Sequence, residues 1–264
     1  MALDFIVQNS QVFLLVFVRI LAIIELAPVI SSVGVPQIAK IGLAFFASVV
    51  VFPNVMHAGY PIPQAPLEYA LLVMGEAMVG VIISFFLVVI YSAFLAVGEF
   101  FSVQTGFGFT QTFDVLAQVE IPIEGQFINI IAMYVFIAVG GFQKLFLLGI
   151  AQGFERVRAV DLVVHRNDLF PMVLGSLGVL FQTALIMSLP VVGTLLLVSV
   201  GMGLLGKAAP QMNLLMMGFP IAITVSFVVL FLITPFMVDS IAIVIQKSFD
   251  SIARLLTLLQ GAKQ

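Results

Sequence analysis

Gly203-Leu204-Leu205-Gly206-Lys207-Ala208-Ala209-Pro210-Gln211-Met212-Asn213 joins two long apolar segments, Met172–Val200 and Met212–Val238. Each segment exceeds the roughly 20 residues a helix needs to cross a hydrocarbon core of about 30 Å. A hairpin between two membrane helices needs only a few turn residues. This joint instead carries a cation, an amide pair and a helix-stopping proline, which points to contacts with something beyond lipid. Gly218-Phe219-Pro220 follows close behind.

The rest of the chain has the same character. It is 62% hydrophobic and 9% charged, against about 45–50% and about 25% in an ordinary soluble domain. A soluble fold of this length cannot hide that much apolar surface, so the solvent is lipid or a large apolar partner. There is no cysteine, hence no disulfide framework, thiol nucleophile or thiolate metal site. The two histidines, His57 and His165, lie far apart in sequence. No metal or cofactor is expected, and a net charge of −3 argues against nucleic acid. The first ten residues hold Asp4 and no basic residue, and the apolar run from Val12 reaches Glu25 without a small-residue cleavage site. We read it as an uncleaved first span.

Six apolar segments, at 12–30, 38–52, 69–97, 127–142, 172–200 and 212–238, account for most of the chain. They predict an all-α integral membrane protein, a single membrane domain over 1–264 with its helices arranged as hairpins. The lengths are uneven. Pro36 and Pro53 bound a second segment of about 24 Å, whereas the third, from Tyr69 to Val97, reaches about 43 Å. Such lengths fit a uniform bundle badly and fit helices packed at different heights against neighbouring subunits. Lys144, Arg156, Arg158, Arg166, Lys247, Arg254 and Lys263 fall on the side of the N-terminus, and only Lys40 and Lys207 on the other. The positive-inside rule then puts both termini in the cytoplasm. Pro36-Gln37 echoes Pro210-Gln211 and Phe52-Pro53 echoes Phe219-Pro220, but the offsets of 174 and 167 differ by seven. A simple repeat, the mark of many secondary transporters, is therefore rejected.

Four charges interrupt the spans or their ends: Arg19, Glu25, Glu76 and Glu99. A charge at a helix centre costs about 2.5–3.5 kcal/mol on insertion scales. Arg19 and Glu25 are about 120° apart on a helical wheel and do not pair within one helix. Each of the four either faces a partner helix or aqueous path, or belongs to a structural ion pair. The loop 98–126 carries Glu99, Asp114, Glu120 and Glu124 and alternates glycine with phenylalanine at Gly106-Phe107-Gly108-Phe109, with Phe113 beyond. Permissive backbone bearing bulky apolar tips suits a displaceable plug that closes a pore by excluding water. It equally suits an interfacial loop with aromatics at the headgroups.

Catalytic patterns are missing. Gly201-Met202-Gly203-Leu204-Leu205-Gly206 matches GxGxxG but closes a membrane span instead of following a strand, so its glycines serve packing or a bend. There is no HExxH, no GxSxG and no acidic dyad in facing spans, so no enzyme is expected. The tail 239–259 is amphipathic, with Ile241, Ile245, Ile252, Leu255, Leu256 and Leu259 on one side and Lys247, Asp250, Ser251 and Arg254 on the other. It reads as an interfacial helix or as a docking helix for a cytoplasmic partner.

With these residues in view, the chain resembles the FliR/SpaR family of type III protein-export subunits. Arg19, Pro28, Pro36, Lys40, Gly42-Leu43-Ala44 and Pro53 recur in the family's order, followed by Gly75-Glu76, Gly80, Gly98-Glu99 and the Gly/Phe loop with Asp114. The most specific element is the block holding Gly203, Lys207, Pro210, Gln211, Asn213, Gly218, Phe219 and Pro220. Two places depart: Val115 follows Asp114 where many relatives have proline, and Gly141-Phe142-Gln143-Lys144 stands where many have Gly-His-His. The resemblance implies a hetero-oligomeric helical channel in the bacterial inner membrane, at the flagellar basal body, built with FliP- and FliQ-type subunits and meeting an FlhB-type switch protein. It implies a plug at Gly106, Phe107, Gly108, Phe109 and Phe113, and passage of unfolded proteins. Ala208 to Asn213 and Gly218 to Pro220 look more like flagellar than injectisome members. The alternatives are an autonomous ion or solute transporter, built on Arg19, Glu25 and Glu76, and a scaffold without channel contact.

Overall fold

The structure, a computed structural model, describes residues 2–32, 34–106, 123–164, 166–209, 211 and 214–260. Helices are α1 (Ala2–Leu26), α2 (Gln37–Ala58), α3 (Pro66–Thr105), α4 (Ile123–Ala138), α5 (Gly141–Lys144), α6 (Gly153–Arg156), α7 (Ala159–Val164), α8 (Arg166–Ala208) and α9 (Leu214–Gln260). A π-helical stretch, Leu145–Gln152, joins α5 to α6. No strand occurs among the described residues. The fold is all-α, and among the described residues five helices are long and apolar enough to cross a membrane, or six if the broken run from Glu124 to Arg156 counts as one span.

Three boundaries differ from the sequence reading. Pro53 does not end the second segment: α2 runs through it to Ala58, 22 residues or about 33 Å. Membrane helices tolerate such a proline because neighbouring groups can take up the freed carbonyl. The stretch 98–126 begins as helix, since α3 continues from Gly98 to Thr105 before the chain turns. A Cβ on Gly98 would overlap the backbone of Gly125, so α3 and α4 touch here at a distance only glycine allows. The tail 239–259 is the last part of the 47-residue α9, which continues through Pro220 and Pro235.

The chain divides into two compact units, one of residues 1–89, 140–177 and 245–264, the other of 90–139 and 178–244. The first is built on the buried stripe of α1. Val12, Leu15, Val16, Ile20, Ile23 and Ile24 recur at the i, i+3, i+4 spacing of one helix face, and Arg19 sits in the middle of that face. Edge-on contacts of Phe13 with Phe45 and Phe52 close the α1–α2 hairpin. In the connection Val29 takes φ 77°, a left-handed conformation that a β-branched residue adopts only under constraint. Ile83, Phe86 and Leu87 of α3 pack in the same core as Ile245, Phe249, Ile252, Leu255, Leu256 and Leu259 of α9, all nearly inaccessible. Ser248 donates to the Phe86 carbonyl at 3.0 Å across that contact. The apolar side of the tail is thus taken up by the chain's own core.

The second unit centres on Phe94, Val97 and Phe101 of α3, Ile128, Ala132 and Phe136 of α4, and Val191 and Leu195 of α8. Tyr91 meets Phe94 and Phe136 edge-on and donates to the Ala132 carbonyl at 3.4 Å. Elsewhere α8 and α9 turn apolar side chains outward: Leu197, Phe231 and Phe236 are each more than 70% exposed. Only 22% and 17% of their most apolar windows are buried within the chain.

Candidate functional site

Two of the four predicted intramembrane charges meet. Arg19 Nε and Nη2 hold Glu76 Oε2, and both side chains are fully buried. Arg19 Nη2 also donates to the Val157 carbonyl at 2.9 Å, and its guanidinium lies 3.9 Å from the centre of the Phe154 ring. The other carboxylate oxygen of Glu76 accepts the Tyr60 hydroxyl and, at 3.0 Å, the Ala159 amide. Four separate pieces of chain are therefore tied to one ion pair. Burial, then the Glu76 charge and the hydrogen bond to it, pushes the Tyr60 phenol above its usual range, so the hydroxyl stays protonated and donates. One donor, Arg19 Nη1, is buried without a partner. A carboxylate satisfied on both oxygens does not offer an open aqueous path to a transported ion, so the geometry of Arg19 and Glu76 favours the structural-pair reading.

Glu25 serves the α1–α2 hairpin. It accepts from Gln37 Nε2 and lies 3.8 Å from Lys40 Nζ, which in turn donates to the Ser31 carbonyl at 3.1 Å. Glu99 is exposed on α3. The four charges thus separate into a buried knot, a hairpin clasp and an exposed carboxylate. Tyr60, Phe154, Val157 and Ala159 were not singled out from sequence. Their contacts with Arg19 and Glu76 bridge 16 to 138 residues, across different helices and connections, which no local pattern links.

A second constellation lies within the other unit. Gly106 ends α3 in the left-handed region, φ 88°, with its N–H on the Ser102 carbonyl at 3.1 Å. A Cβ there would meet the ring of Phe219, so the phenylalanine of the Gly218-Phe219-Pro220 string lies against the first residue of the Gly/Phe loop. Thr105, Gly106, Met202, Gly203, Gly218 and Phe219 line a cavity of about 390 Å³. Three far-separated sequence features thus share one site: the base of the loop, the end of α8 and the start of α9. Beside it Thr105 Oγ1 approaches Glu124 Oε1 at 3.4 Å, while Glu124 Oε2 is buried without a partner. Lys207, Gln211 and Pro220 are exposed. Phe107, Gly108, Phe109, Phe113, Pro210 and Asn213 lie outside the described residues. Among the described residues no group of three or more His, Asp or Glu side chains comes together as metal ligands.

Comparison with known proteins gives a consistent result. The model of the family "Bacterial export proteins, family 1" matches residues 10–248. The chain is 32% identical over 257 residues to the flagellar biosynthetic protein FliR of Borreliella burgdorferi, covering 97% of this chain and 94% of that protein. It is 30% identical to the protein of the same name from Bacillus subtilis, covering 85% and 86%, and 24% identical to that of Escherichia coli K12, covering 78% of each.

Proposed function

The chain belongs to the bacterial export proteins, family 1, and from that premise we propose that it is a subunit of a flagellar type III export gate in the bacterial inner membrane. In this reading it forms part of the channel through which unfolded flagellar proteins cross. FliP- and FliQ-type subunits complete the channel and an FlhB-type protein docks on it, and separate subunits supply ATP hydrolysis and proton-motive coupling. The name shared by the relatives supports a flagellar role over an injectisome one.

The observation that carries the channel reading is the meeting of Gly106 and Phe219 at one cavity. A loop that plugs a channel needs a fixed base, and the glycine that ends α3 is held against the specific motif at the α8–α9 joint. The outward apolar faces of α8 and α9 fit helices made to pack against other subunits. The test replaces Phe107, Phe109 and Phe113 by Ala and measures ion leak across the membrane. Raised leak with normal assembly is expected, and unchanged leak with normal assembly would remove the plug assignment.

A further inference from the structure

Within the first unit, a groove of about 630 Å³ opens between the start of α3 and the start of α7, inside the size range of ligand pockets. Its walls are apolar: Pro61, Ile62 and Pro63 from the α2–α3 connection, Leu71 and Leu72 of α3, and Val160 of α7. Two charges of opposite sign also line it, Glu68 in the first turn of α3 and Arg158 just before α7. Among the described residues neither is in an ion pair. Glu68 is exposed. The Arg158 guanidinium makes a long contact from Nη2 to the Gly59 carbonyl, 3.4 Å, and lies 5.8 Å from the Tyr60 ring centre, while the Arg158 backbone N–H donates to Asp161 Oδ2 at 2.8 Å. From the start of α3 a stripe of exposed apolar side chains runs down the helix: Leu67 (74% exposed), Leu71 (59%), Met74 (65%) and Met78 (52%). At 1.5 Å per residue the stripe is about 16 Å long, close to one leaflet of a hydrocarbon core of about 30 Å.

We propose that this groove binds one phospholipid with a zwitterionic phosphoethanolamine headgroup. The phosphate pairs with Arg158, the ammonium pairs with Glu68, and an acyl chain lies along Leu71, Met74 and Met78. The guanidinium is suited to phosphate because it presents several N–H donors in a planar fork. Glu68 disfavours a net-anionic lipid, because its carboxylate would face an uncompensated phosphate. On the positive-inside reading of the loops, the site faces the cytoplasmic leaflet. It depends only on the chain being embedded in a membrane and not on the plug.

The test uses the full chain in its membrane assembly, purified in mild detergent. Palmitoyl-oleoyl phosphatidylethanolamine and the phosphatidylglycerol of the same chains are added as probes, and bound lipid is read by native mass spectrometry. One ethanolamine lipid per chain is expected, bound at least about fivefold tighter than the glycerol lipid. Arg158→Gln and the groove-filling Leu72→Trp should each abolish it, and Glu68→Gln should erase the preference between the two lipids. Equal or tighter binding of phosphatidylglycerol by the unaltered chain, or an adduct that survives Leu72→Trp, would overturn the proposal. Should the filled variant fail to assemble, a photo-crosslinker on Leu71→Cys decides. Crosslinks to lipid support the site, and crosslinks to another protein overturn it.

Discussion

Arg19 and Glu76 sit in the centre of the first unit with no measurable exposure. Removing one of them leaves the other charge buried and alone, which costs about 3–5 kcal/mol. Glu76→Ala should therefore lower the unfolding midpoint sharply in detergent. Arg19→Met with Glu76→Leu should recover most of the loss, because well-packed apolar replacements of a buried pair are often neutral. A double variant as unstable as Glu76→Ala would mean that the charges do more than hold the fold. Sequence announced both residues, since a charge in an apolar span is conspicuous. It did not announce the pairing, because the wheel compared Arg19 only with Glu25 on the same helix. The true partner, 57 residues away, was fixed by how α1 and α3 pack.

At the scale of elements, the tail shows what periodicity can and cannot tell. The side carrying Ile245, Ile252, Leu255, Leu256 and Leu259 was legible from spacing alone. What it packs against was not, because an apolar stripe looks the same whether lipid, a partner or the chain's own core covers it. Those side chains are at most 1% exposed within the chain. Leu256→Ala should thus cost about 2–5 kcal/mol as a core cavity, measured by thermal unfolding, with membrane insertion unchanged. An interfacial helix would show little loss of stability. The boundaries at Pro53 and Gly98 were misjudged for a related reason. Pro53 bounds the second apolar segment and Gly98 opens the loop on local rules, whereas α2 and α3 continue through them. The joint from Gly203 to Asn213 was recognisable as a motif. Its meeting with Gly106 was not, since nothing in sequence links residues about a hundred positions apart.

Taken whole, the molecule has two helices far longer than a bilayer core, with outwardly apolar faces. α8 with 43 residues and α9 with 47 extend to about 65 and 70 Å, roughly twice a hydrocarbon core. Leu197, Phe231, Phe236 and many like them remain uncovered. Surfaces of this size on one chain mark interaction sites, and lipid can cover only the part within the bilayer. The uneven spans were visible in sequence and already implied neighbours at different heights. Which neighbours, and how many, follows from complementary surfaces on other chains, and one sequence holds only half of each interface. The most direct test is the mass of the intact particle. The chain is co-expressed with its genomic neighbours, extracted in mild detergent and measured by native mass spectrometry. The account predicts one copy in a stable complex with several copies of two smaller membrane proteins, and a monomer or homo-oligomer without such partners would contradict it.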